Sequence, residues 1–321
     1  MSGSFLWLLL PIFAAVFYSI SGVLQNYIVD MAMPKKRAGS FLATHIITFI
    51  MGMLVVLAIF GRSVFMLPLA NAFGLMLAGA INTVASAFYY KSLQSGDTVD
   101  VSIYSQVGPI LSLVLGFLIL GQDITLNQGI SFILIMIAAL FIVFSGVDKK
   151  SRKGKAPDVK TACLTLTYTV FSAVSDIVFV YYLQGTKDYT LFAQSFFYFE
   201  LGSCLATVMA LILFESWREA LKRAFKTSKN HRINNLAMWA DNIVSTIAEL
   251  FQKLGLIIAP IVALFTVVSR IANLVMGFVL ALVLGRAFPK FIHAKKMTQK
   301  VIYSYIFAGV LIIAGIVLMN I

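Results

Sequence analysis

Long apolar stretches separated by short polar segments run along the whole chain. Ten of them are long enough to cross a bilayer as helices, a distance that takes about 20 residues. Only Gly255 and Pro260 separate the eighth stretch from the ninth, whereas clear turn residues separate most of the others. The pattern predicts an all-α integral membrane protein with ten transmembrane helices. The predicted helices cover approximately residues 5–29, 40–60, 67–90, 99–120, 126–144, 162–183, 191–214, 234–254, 257–284 and 301–320.

Composition supports a membrane protein and argues against nucleic-acid binding. The chain is 60% hydrophobic and 12% charged, whereas soluble domains are roughly 45–50% apolar and about 25% charged. The net charge is +12, but most basic residues lie in four loops, at 35–37, 149–160, 218–232 and 286–300. These loops share one side of a ten-helix chain, so the positive-inside rule predicts that they are cytoplasmic. We expect a multi-pass cell-membrane protein with both termini outside.

The basic loop at 147–160 divides the chain into two halves, residues 1–146 and 161–321, each with five predicted helices. The two halves resemble each other locally: SLVLGF at 112–117 matches NLVMGF at 273–278, and AFYYKSL at 87–93 faces AELFQKL at 248–254 at the same offset. An odd number of helices per repeat places the two copies in opposite orientations. The sequence therefore predicts two inverted five-helix repeats joined by a basic cytoplasmic linker.

Four acidic side chains and one arginine interrupt the apolar stretches of the second half: Asp176, Glu200, Asp241, Glu249 and Arg270. A charge at the centre of a bilayer costs on the order of 2.5–3.5 kcal/mol on insertion scales, and such residues usually mark a solute or ion pathway. The pattern therefore predicts a polar transport site near mid-membrane.

The eighth stretch is the most polar of the ten. At helical periodicity Asp241, Ser245, Glu249 and Gln252 fall on one face, which we predict binds substrate. Glu249 has a plain structural alternative, since Lys253 lies one turn further along and would form an ion pair with it.

Arg270 lies near the middle of the ninth stretch. Its planar guanidinium suits a substrate carboxylate or phosphate, but Asp241 or Glu249 would equally neutralise it, as is usual for buried charges. We favour the hypothesis of an ion pair that opens when substrate or a proton competes for the carboxylate.

Asp176, Glu200 and Glu249 are the candidate proton carriers. Burial favours the neutral form of a carboxyl, so such groups can take up and release protons near neutral pH. The alternative for Asp176 and Glu200 is a carboxyl that faces the cavity and has no role in coupling.

Three further residues complete the predicted substrate site. Tyr18 and Gln25 share a face of the first stretch, and the indole of Trp239 is suited to a cation–π contact. Aromatic residues at the ends of such stretches are more commonly membrane-interface anchors, which is the alternative for Trp239. The sequence shows no arrangement of a nucleophile with a base, no metal-ligand motif and no cofactor motif, so we expect neither an enzyme nor a cofactor.

The chain resembles the drug/metabolite transporter superfamily, specifically its EamA-type members. The segment YKSL at 90–93, Pro109 and Leu120–Gly121 carry the resemblance, and the second half repeats it with FQKL at 251–254 and Leu284–Gly285. Family members often have a glutamate after that glycine, whereas this chain has Gln122 and Arg286. The resemblance implies an exporter or importer of small metabolites with a central cavity between the halves. It also implies cytoplasmic termini, opposite to the orientation that the charges predict.

We therefore expect a secondary transporter that moves a small polar metabolite by alternating access, with protons as the candidate coupling ion. Four acids against one arginine favour an amine, an amino acid or another cationic or zwitterionic solute. The alternative is an exchanger of phosphorylated ligands, of the nucleotide-sugar or lipid-phosphate type. The expected partners are the small-molecule substrate and membrane lipids, with no nucleic acid, and the expected state is a monomer or a homodimer.

Overall fold

A computed structural model describes residues 6–27, 38–95, 101, 104–145, 159–183, 188–215, 218–219, 231–287 and 299–319. Within these residues the protein is helical and contains no strand. Its α-helices are α1 (Leu6–Tyr27), α2 (Ala38–Phe60), α3 (Leu69–Ser95), α4 (Gly108–Leu120), α5 (Leu126–Ser145), α6 (Val159–Tyr181), α7 (Tyr189–Leu213), α8 (His231–Ile258), α9 (Val262–Ala287) and α10 (Gln299–Met319). Each coincides with one predicted apolar stretch, so the all-helical class is confirmed.

Five helical segments of the described chain are long and apolar enough to cross a membrane: Trp7–Leu24, His45–Phe65, Leu69–Leu93, Val159–Tyr181 and Tyr189–Leu213. Shorter apolar segments occur in α4, α5, α9 and α10. Large apolar side chains on these helices are exposed, such as Ile59, Leu118 and Met209. An aqueous protein would not leave so much apolar surface uncovered, whereas lipid covers it at no cost.

Helix α4 is shorter than predicted, because it begins at Gly108 rather than near residue 99. Gln106 and Val107 form a turn, and Pro109 lies in the first turn of the helix, where its missing N–H is not needed. Pro109 therefore lies at the start of a helix that follows directly on this turn. The helix ends at Gly121, which adopts a left-handed φ of 61°, a conformation that costs glycine little.

The break between α8 and α9 falls at Pro260 and not at Gly255. Helix α8 continues to Ile258 and α9 starts at Val262. Gly255 lies inside α8, and a glycine is needed at this position because a Cβ there would come within 2.5 Å of the Phe265 ring. The glycine therefore allows the two helices to pack closely on either side of the proline break.

The two halves of the chain interleave. Helix α1 packs against α8 and α9, α6 packs against α3 and α4, α2 packs against α7, and α5 packs against α10. Close approach relies on small residues, as is typical between membrane helices. A Cβ at Gly79 would overlap the carbonyl oxygen of Phe199, and one at Gly202 would overlap that of Met76. These glycines place α7, which carries Glu200, directly against α3.

Candidate functional site

The polar face of α8 points into the helix bundle. Asp241, Ser245 and Lys253 are buried, whereas Leu236 and Trp239 are exposed. Helical periodicity predicted one polar face on this helix. Tertiary packing adds that the face contacts α1, α2, α6 and α7, so its polar groups meet partners from both halves of the chain.

Asp241 lies in a group of hydroxyls between α1 and α8. Its side chain is 4% exposed, and its Oδ1 accepts a hydrogen bond of 2.6 Å from Ser21 Oγ. Ser21 Oγ also lies 2.9 Å from Ser245 Oγ, which is 3.5 Å from the same carboxylate oxygen. The predicted residues Asp241 and Ser245 are therefore brought together, and the first half contributes Ser21 to the group.

A neutral contact lies beside this group, between α2 and α8. Thr48 Oγ1 donates to Asn242 Oδ1 at 2.6 Å, and Thr246 Oγ1 lies 3.3 Å from the carbonyl oxygen of Thr48. Both Asn242 and Thr246 are buried. This contact fixes α8 against α2 and holds the neighbouring Asp241 in register.

Lys253 forms an ion pair with Asp176 of α6. Its Nζ donates to Asp176 Oδ1 at 2.8 Å, with side-chain exposures of 4% for the lysine and 20% for the aspartate. The same ammonium lies 4.1 Å from the ring centroid of Phe199 and 5.0 Å from that of Phe179. The structural alternative for Glu249 was an ion pair with Lys253. In the structure the carboxylate of Asp176, on a neighbouring helix, forms the ion pair with this ammonium.

Two further carboxyls lie close to this pair. Glu200 of α7 is 1% exposed, and its Oε2 has no hydrogen-bond partner among the described residues. The Glu200 side chain packs against Gly52 of α2, where an added Cβ would come within 3.2 Å of Glu200 Cγ. Glu249 is half-buried, and both glutamates lie within electrostatic range of Lys253 and of each other. One ammonium therefore pairs with Asp176 and interacts electrostatically with two further carboxyls.

Arg270 occupies a separate place, between α9 and the start of α4. A Cβ at Gly108 would come within 3.0 Å of Arg270 Nη2 and 3.1 Å of Thr169 Cγ2. The guanidinium also lies within electrostatic range of Tyr89. Among the described residues Arg270 forms no ion pair, so the expected pairing with Asp241 or Glu249 is absent. Asp241 instead accepts a hydrogen bond from Ser21 of α1, and Glu249 lies one turn before Lys253 on its own helix.

The remaining predicted residues are distributed around these groups. Gln252 Oε1 accepts a hydrogen bond of 2.8 Å from Ser269 Oγ of α9. Tyr18 is half-buried and within electrostatic range of Glu249, Asp176 and Glu200, so it joins the carboxyl cluster. Trp239 is 52% exposed, which places it outside the buried groups. The side chain of Gln25 lies outside the described residues.

Sequence reasoning left three components of the site unassigned: Phe179, Phe199 and Ser21. Phe179 follows Asp176 by one turn, and Phe199 directly precedes Glu200, so adjacency to an intramembrane acid was the available signal. Apolar helices contain many phenylalanines, however, and only the packing of α6 against α7 and α8 identifies the two that meet the lysine. Within the part of the chain that the structure describes, no group of three potential ligand residues is arranged to hold a metal ion.

Comparisons with known proteins agree with this architecture. Residues 5–144 match the EamA-like transporter family. A protein of known crystal structure is similar to the chain with a TM-score of 0.67 and 17% sequence identity, over 97% of this chain and 95% of that one. At that identity the likeness concerns the fold alone. No curated protein matches the chain.

Proposed function

Because residues 5–144 match the EamA-like transporter family, we propose that the chain belongs to the EamA-like transporters of the drug/metabolite transporter superfamily and is a secondary transporter of a small cationic or zwitterionic metabolite. This family consists of transporters and not of enzymes. The substrate class we propose is an amine, an amino acid or a related polar solute. Alternating access between the two halves is the proposed mechanism.

The observation that carries this proposal is the excess of carboxyls over cations at the centre of the bundle. Asp176 pairs with Lys253, Glu200 and Glu249 interact electrostatically with the same ammonium, and Glu200 Oε2 lacks a hydrogen-bond partner among the described residues. Uncompensated negative charge in a low-dielectric interior is costly. A cationic substrate or protons would relieve that cost, so we propose that Glu200 and Glu249 take up protons when the substrate leaves, while Asp176, whose charge Lys253 balances, binds the substrate. Asp241, Ser245 and Gln252 would then complete the polar path along α8.

Helix packing supports an inverted repeat of α1–α5 and α6–α10. If helices α1–α5 are exchanged in order with helices α6–α10, the contact of α1 with α8 becomes the contact of α6 with α3. The contact of α1 with α9 becomes that of α6 with α4, and the pairs α2–α7, α4–α9 and α5–α10 map onto themselves. Such a pattern is expected of two halves related by a two-fold axis. We propose ten membrane crossings with the basic loops, which lie largely outside the described residues, in the cytoplasm of a cell membrane.

Transport by the purified protein in liposomes tests the function. We expect uptake of a cation such as ethylammonium or a zwitterion such as glycine, and no uptake of glycerol 3-phosphate. Asp176→Asn and Glu249→Gln should each reduce that uptake, whereas Trp239→Ala should leave it near the wild-type rate. Uptake of the phosphate alone would contradict the proposed substrate class.

A second candidate function rests on Arg270, whose guanidinium lies beside Gly108 at the start of α4 with no ion-pair partner among the described residues. A guanidinium at a helix N-terminus suits a phosphate or carboxylate. An exchanger of phosphorylated ligands would use this site. Arg270→Gln should then abolish phosphate-ester exchange while leaving any ethylammonium uptake intact, which separates the two functions.

A further inference from the structure

We propose that Lys253 is a tethered occupant of the substrate's cation site, which replaces the substrate ammonium at Asp176 whenever the transporter is empty. The inference rests on the proposed function and specifies its cation subsite. The ligand class of that subsite is a primary ammonium, and the subsite is built from Asp176, Phe179 and Phe199.

The geometry around Lys253 Nζ is that of an ammonium-binding site. Asp176 Oδ1 lies 2.8 Å from the nitrogen, and the ring centroids of Phe199 and Phe179 lie 4.1 and 5.0 Å from it. Carboxylate and aromatic faces together are the groups that recognise organic ammonium ions. The ammonium in this site belongs to the protein itself, at the end of a flexible four-carbon chain.

Lys253 has a second carboxylate partner when a substrate displaces it from Asp176. Glu249 lies one turn earlier on α8, at the spacing that allows an ion pair on a helix surface, and it is half-buried without an ion pair of its own among the described residues. Glu200 lies within electrostatic range of the same ammonium. The lysine can therefore leave Asp176 without losing a carboxylate partner, and a substrate ammonium can take its position between the two rings.

The tether has a consequence for the transport cycle. After substrate release, a carrier without Lys253 would hold Asp176 uncompensated in a low-dielectric site, which opposes the return of the empty carrier. Lys253 neutralises Asp176 at this stage, so the empty carrier can change conformation. Removal of the lysine charge should therefore abolish net transport and preserve exchange of one substrate molecule for another.

Binding of ethylammonium by the full-length protein in detergent tests the subsite. We compare the wild type, Lys253→Met, and Lys253→Met combined with Asp176→Asn, at constant ionic strength, by calorimetry and thermal shift. Lys253→Met should bind ethylammonium about tenfold more tightly than the wild type, because the competing ammonium is gone. The double variant should lose that gain. Lys91→Met, which removes an exposed lysine of α3, is the matched control and should bind like the wild type.

Flux measurements in liposomes test the tether. Lys253→Met should lower net ethylammonium efflux by about tenfold or more, while exchange against external ethylammonium stays within about twofold of the wild-type rate. Equal loss of net efflux and exchange, or no change in either, would overturn the inference. So would an unchanged ethylammonium affinity in Lys253→Met.

Two further outcomes keep the inference testable and separate it from the proposed function. If Lys253→Met fails to fold, Asp176→Asn keeps the lysine and should still lose ethylammonium binding; unchanged binding would refute the subsite. If the wild type moves neither cations nor zwitterions, the proposed function fails and the binding comparison alone decides the subsite. If the wild type transports ethylammonium but Lys253→Met behaves like it in both assays, only the tether fails.

Discussion

The two halves of the chain have the same order of helices but carry different chemistry. Helices α1–α5 contain no aspartate or glutamate, whereas α6–α8 carry Asp176, Glu200, Asp241 and Glu249. Val16–Phe17 and Ser21 recur 154 residues later as Val170–Phe171 and Ser175, so Asp176 corresponds to Gly22. The first half instead supplies neutral groups, such as Ser21 against Asp241. In the inverted repeat that we propose, only the second copy therefore carries the acidic groups of the proposed transport site.

The largest effect on stability is expected at the Lys253–Asp176 ion pair, which lies entirely within the charged second half. Asp176→Ala leaves the ammonium of Lys253 without its carboxylate, and loss of one partner of a buried pair costs about 3–5 kcal/mol. Because Asp176 is 20% exposed, we expect about 2–3 kcal/mol. Chemical unfolding in detergent micelles measures it. The matched change Gly22→Ala meets nothing within 4 Å and should cost nothing.

A double-mutant cycle measures the coupling free energy between Asp176 and Lys253. Asp176→Ala with Lys253→Met should be less destabilised than the sum of the two single variants, since the second change removes an already unpaired charge. Additive effects would mean that the ion pair contributes little to stability.

The next largest effect on stability concerns Gly202, whose close contact with the backbone of Met76 joins the two halves. Gly202→Ala places a methyl group on the backbone of Met76, and overpacking of a helix contact typically costs about 1–3 kcal/mol. Thermal unfolding should show a clear decrease in Tm. Gly309→Ala, where a Cβ meets open space, is the control and should leave Tm unchanged or slightly raised. Equal Tm values for the two variants would contradict the close approach of α3 and α7.

A smaller effect is expected at the hydroxyl group that the first half contributes. Ser21→Ala removes the 2.6 Å hydrogen bond to Asp241, and a lost hydrogen bond to a charged group costs roughly 1.5–3 kcal/mol when buried. Because Ser245 Oγ lies near the same carboxylate and can replace the donor, we expect about 1 kcal/mol. Ser19→Ala, on the same helix and half-buried, should be close to neutral in the same unfolding assay.

The smallest effect should come from Trp239→Ala. The ring is 52% exposed and lies outside the buried groups, so ethylammonium affinity should stay within about twofold of the wild-type value. A large loss of affinity would restore the sequence-based interpretation of Trp239 as part of a cation site.

The sequence anticipated the helices well and the partners of the charges poorly. The position of each apolar stretch follows from local composition, so α1 to α10 were all expected, and the error at α4 concerned only where that helix begins. Spacing along one helix is visible in the sequence, so Glu249 was the alternative partner considered for Lys253. Asp176 lies 77 residues away in the chain, and no local pattern reports that separation.

The sequence by itself determined the class of the protein, its helical segments and the set of buried charges, because transfer of side chains to a bilayer depends on residue type and run length. The tertiary structure decided which groups meet: Lys253 with Asp176 and two phenylalanine rings, Asp241 with Ser21, and Arg270 with the start of α4. These pairings depend on which helix faces approach one another. Small residues such as Gly79 and Gly202 set those approaches by allowing backbones into contact, and that selection is made in three dimensions.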